Sequence, residues 1–530
     1  MSTAAANVHT PETQRTLAAS SHTNETAEPV NHEPFDIEHM PVEDDPRAWS
    51  PFRKNVVFSL IASASLIAGL AANIQNPAIA DMEAELHATV SQVSLSISLF
   101  ILIQGFMPLV WTAISEIYGR RIVYVTSLAI FTVASVIVAT SKTITLVIVF
   151  RCFQAMGSSA VMAIGAATLA DIFDPAERGT KMGIYYIAPL LGPSLAPIVG
   201  GVLTTGFNWR APFYFLVIVS GSSCASIALF FRDTFRRERS LTYQSVLKRR
   251  LKSMSASSAT VAAVEKQPAT LSDDPEKQAE LAPSGGAAGM SDIKLSLLDV
   301  NPAQPLWLVL KRPNNFVTLF ASGLMFAYNF SVVFTASRTL SSAYGYNALK
   351  VGLVLLSFGL GNLAGSVLGG KWSDIILAKL KAANGGKSDP EMRLESTKLG
   401  LILLPPSVVA FGWVSAKHVH VSAMCVFLFL SGAFGIWAYT STLAYIVDAN
   451  NGRSSTAVAT NSAFRGVFAF VAIEVAVPLQ DSIGDGWLYT IWTAILIIVG
   501  LQIWLVKLKG SAWRAKAETA EYLRGRDDNS

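Results

Sequence analysis

The feature that most constrains this chain is a succession of twelve apolar blocks. Each is near the roughly 20 residues that a helix needs to cross about 30 Å of hydrocarbon. Six run over 56–75, 93–114, 122–139, 144–170, 182–204 and 211–231; six more run over 316–336, 351–370, 399–415, 421–447, 457–477 and 487–506. A water-soluble chain of 530 residues would carry more surface charge than the 15% found here beside 51% hydrophobic residues. The pattern predicts an all-α membrane protein with twelve transmembrane helices in two six-helix halves.

The polar stretches divide the chain. Residues 1–48 are acidic and rich in Thr, Ala and Pro, too polar to bury a core, and read as a disordered cytoplasmic tail. A six-helix bundle over 49–231 precedes a linker over 232–312, and a second bundle over 313–506 precedes a tail over 507–530. The linker opens with Arg232, Arg236, Arg237 and Arg239, is predicted to form a short amphipathic helix over 241–251, and is otherwise Ser, Ala, Gly and Glu rich. No secretory signal precedes the first block, so that block acts as the insertion signal. Cys152, Cys224 and Cys425 each lie in an apolar block and read as small packing residues.

Charge sets the expected orientation. By these spans about 33 of the 41 basic residues fall on one side and about five on the other, which places both termini and the linker in the cytoplasm. The loop expected after the first span carries Asp81, Glu83 and Glu85 without a basic residue, as an exterior loop should.

Each half places an acid at the inner turn after its second span. The first reads Ser115-Glu116-Ile117-Tyr118-Gly119-Arg120-Arg121, the second Gly369-Gly370-Lys371-Trp372-Ser373-Asp374. Matched positions of this kind mark an internal repeat, a property of transporter folds. The fifth span contains Gly192-Pro193-Ser194-Leu195-Ala196-Pro197-Ile198-Val199-Gly200-Gly201. Each proline removes a helix hydrogen bond and bends the axis, while the glycines admit a close neighbour. In the fourth span Arg151 lies three residues before Gln154 and shares its helix face. A mid-span arginine costs about 2.5–3.5 kcal/mol on insertion scales, so it must face protein and find acceptors.

On these residues the chain resembles the major facilitator superfamily and, within it, fungal twelve-span drug:proton antiporters of the quinidine-resistance type. The supporting segments are 100–121, 192–201, 352–374 and 457–487. The first inner turn is similar to the loop signature Gly-x-x-x-Asp-Arg-x-Gly-Arg-Lys, with Glu116 for the Asp, Gly119 for the second Gly and Arg120 and Arg121 for the basic pair. It departs at Thr112, where Gly is expected, and at Ile117, where Arg is expected. The resemblance implies two pseudo-symmetric bundles and a cytoplasmic gate made by Glu116, Gly119, Arg120, Arg121 and Asp374, in which the acid latches the halves together. It also implies an antiporter helix carrying Gly192, Pro193, Pro197, Gly200 and Gly201. Arg151 reads either as a residue of proton movement or gating, or as a structural arginine satisfied by carbonyls.

A substrate or proton pathway is expected along Arg151, Gln154, Gln104, Asn73, Tyr185, Tyr328, Asn329, Arg465 and Glu474. Phe326, Phe330, Trp437 and Tyr439 add aromatic surface if they face inward. Arg465 and Glu474 are nine residues apart on one helix, so they point in opposite directions about 13 Å apart along the axis and cannot pair. Glu474 reads as an interfacial carboxylate or as a proton site. The functional expectation is a proton-coupled secondary antiporter that exports a drug, secondary metabolite or organic acid. The two in-span arginines favour an organic-anion exporter, and a nutrient importer is the remaining alternative. The expected partners are a small-molecule substrate, the proton and the lipid bilayer, with no nucleic acid; the chain is expected to be monomeric, in the cell membrane or the vacuolar membrane. No nucleophile with a base, metal-ligand spacing or phosphate loop is present, so neither an enzyme, a metal nor a cofactor is expected.

Overall fold

The computed structural model describes residues 42, 44–236, 240, 303–450 and 453–527, and every regular element among them is helical. The first half comprises α1 (Pro51–Asn73), α2 (Ile79–Leu86), α3 (Val90–Tyr118), α4 (Arg120–Thr140), α5 (Ile144–Ile172), α6 (Pro175–Gly206) and α7 (Ala211–Phe230). The second comprises α8 (Ala303–Lys311), α9 (Pro313–Ser342), α10 (Ala348–Ala383), α11 (Thr397–Ala416), α12 (Val421–Asp448) and α13 (Ser454–Asp527). Eleven of these helices are long and apolar enough to cross a membrane. The last, α13, breaks at Gly484, whose φ of 73° and ψ of 169° are open to glycine and costly for any other residue. Its two arms make the eleventh and twelfth crossings.

The helices start earlier than the apolar blocks because polar caps begin them. Thr89 accepts from the backbone N–H of Gln92, while Gln92 Oε1 accepts from that of Thr89, a capping box that opens α3 at Val90. Asn347 Oδ1 accepts from the Lys350 N–H and opens α10. Four expectations change. Asp81, Glu83 and Glu85 lie on α2, not in a loop, because a turn over Asn76–Ala78 with Pro77 at its start lets a second helix begin. The tail after 506 continues α13 as helix to Asp527. The start of the linker, 232–236, is docked on the first bundle, with Asp233 accepting from the Arg120 N–H at 3.1 Å. The end of the N-terminal tail is ordered too: Asp44 accepts from the indole of buried Trp49 at 3.2 Å. Residues 1–41 and the amphipathic segment expected over 241–251 lie outside the described residues.

Inner end denotes here the end carrying Arg120 and Arg393, and outer end the opposite one. One apolar cluster fills the inner part of the first half and another fills the second half. A third, at the outer part of the first half, takes in Phe330 and Phe334 of α9 and Ala469, Ile473 and Val477 of α13, and so joins the halves. Two helix pairs form the seam, α3 with α13 and α6 with α10. Gly105 and Gly466 let α3 and α13 touch backbone to backbone. Ser194 Oγ donates to the Gly359 carbonyl at 2.9 Å, and the Leu349 N–H donates to Thr205 Oγ1 at 3.0 Å. Among the described residues no hydrogen bond or ion pair joins the halves at the inner end.

A Cβ at Gly105 would stand 2.7 Å from the Ser462 carbonyl oxygen and 2.9 Å from Gly466 Cα, both backbone atoms that cannot turn aside. Gly105→Val should therefore destabilise by about 1–3 kcal/mol, read as a lower thermal unfolding temperature in detergent. Gly221→Ala, whose new carbon would meet only the Thr132 methyl at 3.6 Å, should not lower it.

Candidate functional site

The inner end of each half is closed by an arginine between two carboxylates. In the first half α3 turns directly into α4 at Gly119, whose φ is +88° and where a Cβ would overlap the Asp233 carboxylate. The turn drops Arg120 into the bundle, 4% exposed. Its Nη2 donates to Glu116 at 3.1 Å and its Nε to Asp171 at 3.3 Å. Ser240 donates to the other Glu116 oxygen at 2.7 Å, and Thr234 to Asp171 at 3.2 Å. Arg121 instead points along the surface and donates to the Ala228 carbonyl. In the second half Arg393 stands on a short 3-10 helix, Pro390–Ser396, leading into α11. It donates to Asp374 at 3.3 Å and to Asp448 at 2.5 Å.

The two clusters repeat in order: an acid at the end of the second crossing, an arginine entering the third, an acid ending the fourth. Glu116, Arg120 and Asp374 were singled out in the sequence; Asp171, Asp448 and Arg393, which complete the two ion clusters, were missed. A signal existed in Leu169-Ala170-Asp171 and Ile446-Val447-Asp448, where an acid closes the fourth apolar block of each half. The resemblance implied a latch between halves; here each arginine finds its acids within its own half.

The pathway residues divide into three groups, with Glu474 standing apart from all of them. Arg151 is fully buried in the first half. Its Nη1 donates to the Ala71 carbonyl at 3.0 Å and to Gln154 Oε1 at 3.1 Å, and its guanidinium lies 4.0 Å from the Phe100 ring centroid. Gln154 donates onward to Ser135 at 2.7 Å. No carboxylate among the described residues pairs with Arg151, and its Nε and Nη2 have no acceptor.

Arg465, on α13, lies near the seam. Its guanidinium stacks 3.6 Å above the Phe326 ring and donates to the Tyr439 hydroxyl at 2.8 Å. It too has no carboxylate partner among the described residues, and its Nε lacks an acceptor. Phe326, Tyr328, Asn329 and Tyr439 line one small cavity of about 10 Å³, room for about one water, so an organic ligand requires these side chains to part. Asn329 donates to Asn362 at 3.4 Å and Asn461 to Tyr439 at 3.4 Å, while Ser322 donates to Asn461 at 2.6 Å. From the other half, exposed Tyr186 of α6 is within electrostatic range of Tyr439. Asn362 and Tyr186 extend this polar and aromatic cluster beyond the residues expected from sequence.

The third group ties helices together. Gln104 donates to Ser158 at 3.3 Å, linking α3 to α5. Tyr185 is buried and donates to Ser65 at 3.1 Å, linking α6 to α1. Asn73 accepts from Asn76 at 3.1 Å where α1 ends. Tyr328 lines the cavity with one edge and packs against Trp492 with centroids 5.9 Å apart.

At the outer end Glu474 of α13 accepts from Ser98 of α3 at 2.6 Å and from Ser94 at 3.5 Å, across the seam. No cation among the described residues pairs with it. The fifth crossing, α6, holds Pro189 as well as Pro193 and Pro197. Gly192 and Gly200 face α1, against Gly69 and Ile74, whereas Gly201 faces the Ala348 carbonyl of α10. This bent helix therefore serves packing within its half on one side and the seam on the other.

Several known proteins are similar to this chain in sequence, and a solved structure is similar to it in fold. Residues 61–385 match the Major Facilitator Superfamily. The chain is 26% identical to MFS antiporter QDR3 of Candida albicans, over 90% of this chain and 80% of that one. It is 28% identical to multidrug transporter DTR1 of Candida glabrata, over 83% and 82%, and 24% identical to citrate exporter 1 of Aspergillus niger, over 92% of each. The crystal structure of the human organic anion transporter MFSD10 (TETRAN) superposes with a TM-score of 0.55 at 16% identity, covering 86% of this chain and 100% of that one, a likeness of fold. With twelve crossings in two pseudo-symmetric bundles and over half its length matched, the chain belongs to the Major Facilitator Superfamily.

Proposed function

We propose that this multi-pass membrane protein is a proton-coupled antiporter that exports a small organic compound by alternating access. In this reading both chain ends and the linker lie in the cytoplasm, the target is the cell membrane and the working unit is a monomer. The observation that carries it is the asymmetry of the seam. Apolar packing and hydrogen bonds join the halves at the outer end and the middle of the seam, and no hydrogen bond or ion pair among the described residues joins them at the inner end. That is the arrangement of a carrier open towards the side where an exporter takes up its cargo. The printed names of the relatives, an antiporter, a multidrug transporter and a citrate exporter, agree with export.

The cargo site in this reading is the Arg465 cluster, with Tyr439, Phe326 and Asn329 as contacts and Tyr186 reaching in from the other half. Arg151 and Gln154 brace the first half and carry conformational change between α1, α4 and α5. Glu474 is the proton-linked group. Its carboxylate is held across the seam by two serine hydroxyls of α3, and parting of α3 from α13 breaks those contacts and opens it to outside water. The bent α6 supplies the second surface on which the halves rock.

A narrower reading is favoured by one observation: Arg465 is a half-buried guanidinium with no acid partner among the described residues. A guanidinium stacked on aromatic rings with a free N–H suits a carboxylate or other organic anion.

Deleting the gene should change the abundance of an extracellular small molecule in untargeted mass spectrometry, with restoration by the wild-type chain. Arg465→Ala should fail to restore it, with export lowered about tenfold or more, the scale of a lost hydrogen bond to a charged group. In inside-out vesicles with an acidic lumen, the compound so identified should accumulate and uncoupler should stop it; accumulation indifferent to uncoupler removes the proton from the account. Glu474→Gln should abolish the response to the pH gradient while leaving substrate exchange across the vesicle membrane, whereas Ser98→Ala should retain both at a reduced rate.

A further inference from the structure

The helix that continues past the last crossing is tied to the second half by a series of ion pairs. Over 507–521 it lies across the inner end of the second half. Arg514 meets Glu391 with two prongs, at 3.2 and 3.4 Å, and Glu391 is 7% exposed. Lys507 pairs with Glu395, which Lys398 also holds. Glu521 receives Arg312 with two prongs at 3.0 Å each and Arg453 at 2.6 Å. Arg312 is the residue before α9 and Arg453 the one before α13, so the same helix grips the bases of two crossings.

The attachment points are not scattered. Glu391, Arg393 and Glu395 stand at alternate positions of the 3-10 helix Pro390–Ser396. The two acids are held by the C-terminal helix and the arginine between them by the gate acids Asp374 and Asp448. Displacing the helix therefore displaces the backbone that aims Arg393. The first half has a counterpart built from different residues. The segment leaving its last crossing supplies Asp233 to the Arg120 N–H, Thr234 to Asp171 and Ser240 to Glu116. In both halves the chain leaving the sixth crossing returns to brace the arginine cluster of its own half.

We propose that the C-terminal extension of α13 is a strap that positions Arg393 between Asp374 and Asp448, with Glu391 and Arg514 as its principal positioning pair. The strap lies away from the Arg465 cluster, so it governs the inner gate and leaves the cargo site alone. Breaking one buried, two-pronged pair leaves an uncompensated charge beside the turn, which then lifts.

The test is amide hydrogen exchange by mass spectrometry on the full chain in lipid nanodiscs, which needs no substrate and stands whether or not the export reading does. Arg514→Glu should speed exchange in the Pro390–Ser396 turn by about tenfold or more, with peptides from the middle of α11 and α12 unchanged. The charge swap Arg514→Glu with Glu391→Arg should restore slow exchange. In an Arg393→Gln background, where the gate acids no longer hold the turn, Arg514→Glu should still speed exchange, whereas the transport rate, once a cargo is identified, should fall no further than Arg393→Gln alone. If Arg514→Glu does not fold, Lys507→Gln with Arg514→Gln removes the same pairs without reversing charge and should speed exchange in the turn. Unchanged exchange in the turn, exchange that rises uniformly across the second half, or a swap that fails to restore protection overturns the proposal.

Discussion

An ionised side chain at the level of hydrocarbon has to be partnered inside the protein, and the internal order of this molecule follows from how each one is met. Arg120 and Arg393 are met by two carboxylates apiece and so fasten the second, third and fourth crossings of their halves at the inner end. Arg151 is met by a carbonyl, an amide and an aromatic face, which holds α1 and α5 in one register. Arg465 is met by two aromatic rings and one hydroxyl, with an N–H to spare. The arginines that are neutralised are the ones at gates; the one that is half-buried and unneutralised is the one beside the seam.

The halves themselves are rigid and the surfaces between them are not specialised for strength. The outer seam consists of glycine-to-backbone contacts, a few hydroxyl bonds and apolar side chains, all of which can part without leaving a buried ion unpaired. Glu474 is the exception in kind, a carboxylate whose donors among the described residues come from the opposite half. The strong, multiply bonded ion pairs sit instead within halves, where Asp233, Thr234 and Ser240 in the first and the segment 507–521 in the second hold them. Such a division suits two bodies that rock as units.

Much of this was legible in the sequence, and the physical reason is length. An apolar block near twenty residues has few alternatives to a membrane helix, so all twelve crossings could be placed; their ends moved by a few residues because caps such as Thr89 and Asn347 lie in polar sequence. Helical period says which residues share a face but not which neighbour that face meets. Tyr185, Gln104 and Asn73 were expected in a common pathway with Arg465, yet their faces meet helices of their own half. Arg393 was passed over because its two acids, Asp374 and Asp448, are 19 and 55 residues away in sequence. The helix beyond 506 was read as a tail because its charges, which look solvated in sequence, are satisfied by Glu391, Arg312 and Arg453 in space.

The central claim is that two rigid halves exchange openness between the ends. Paired spin labels test it most directly, at exposed sites on opposite halves: Phe207→Cys with Ser342→Cys at the outer end, and Tyr118→Cys with Ile375→Cys at the inner end. Their distances are read by pulsed electron resonance in nanodiscs as the pH is lowered from neutral to acidic. The account predicts opposite movements, the outer distance growing as the inner one shrinks. Distances that stay fixed at both ends, or change in the same sense, would contradict it.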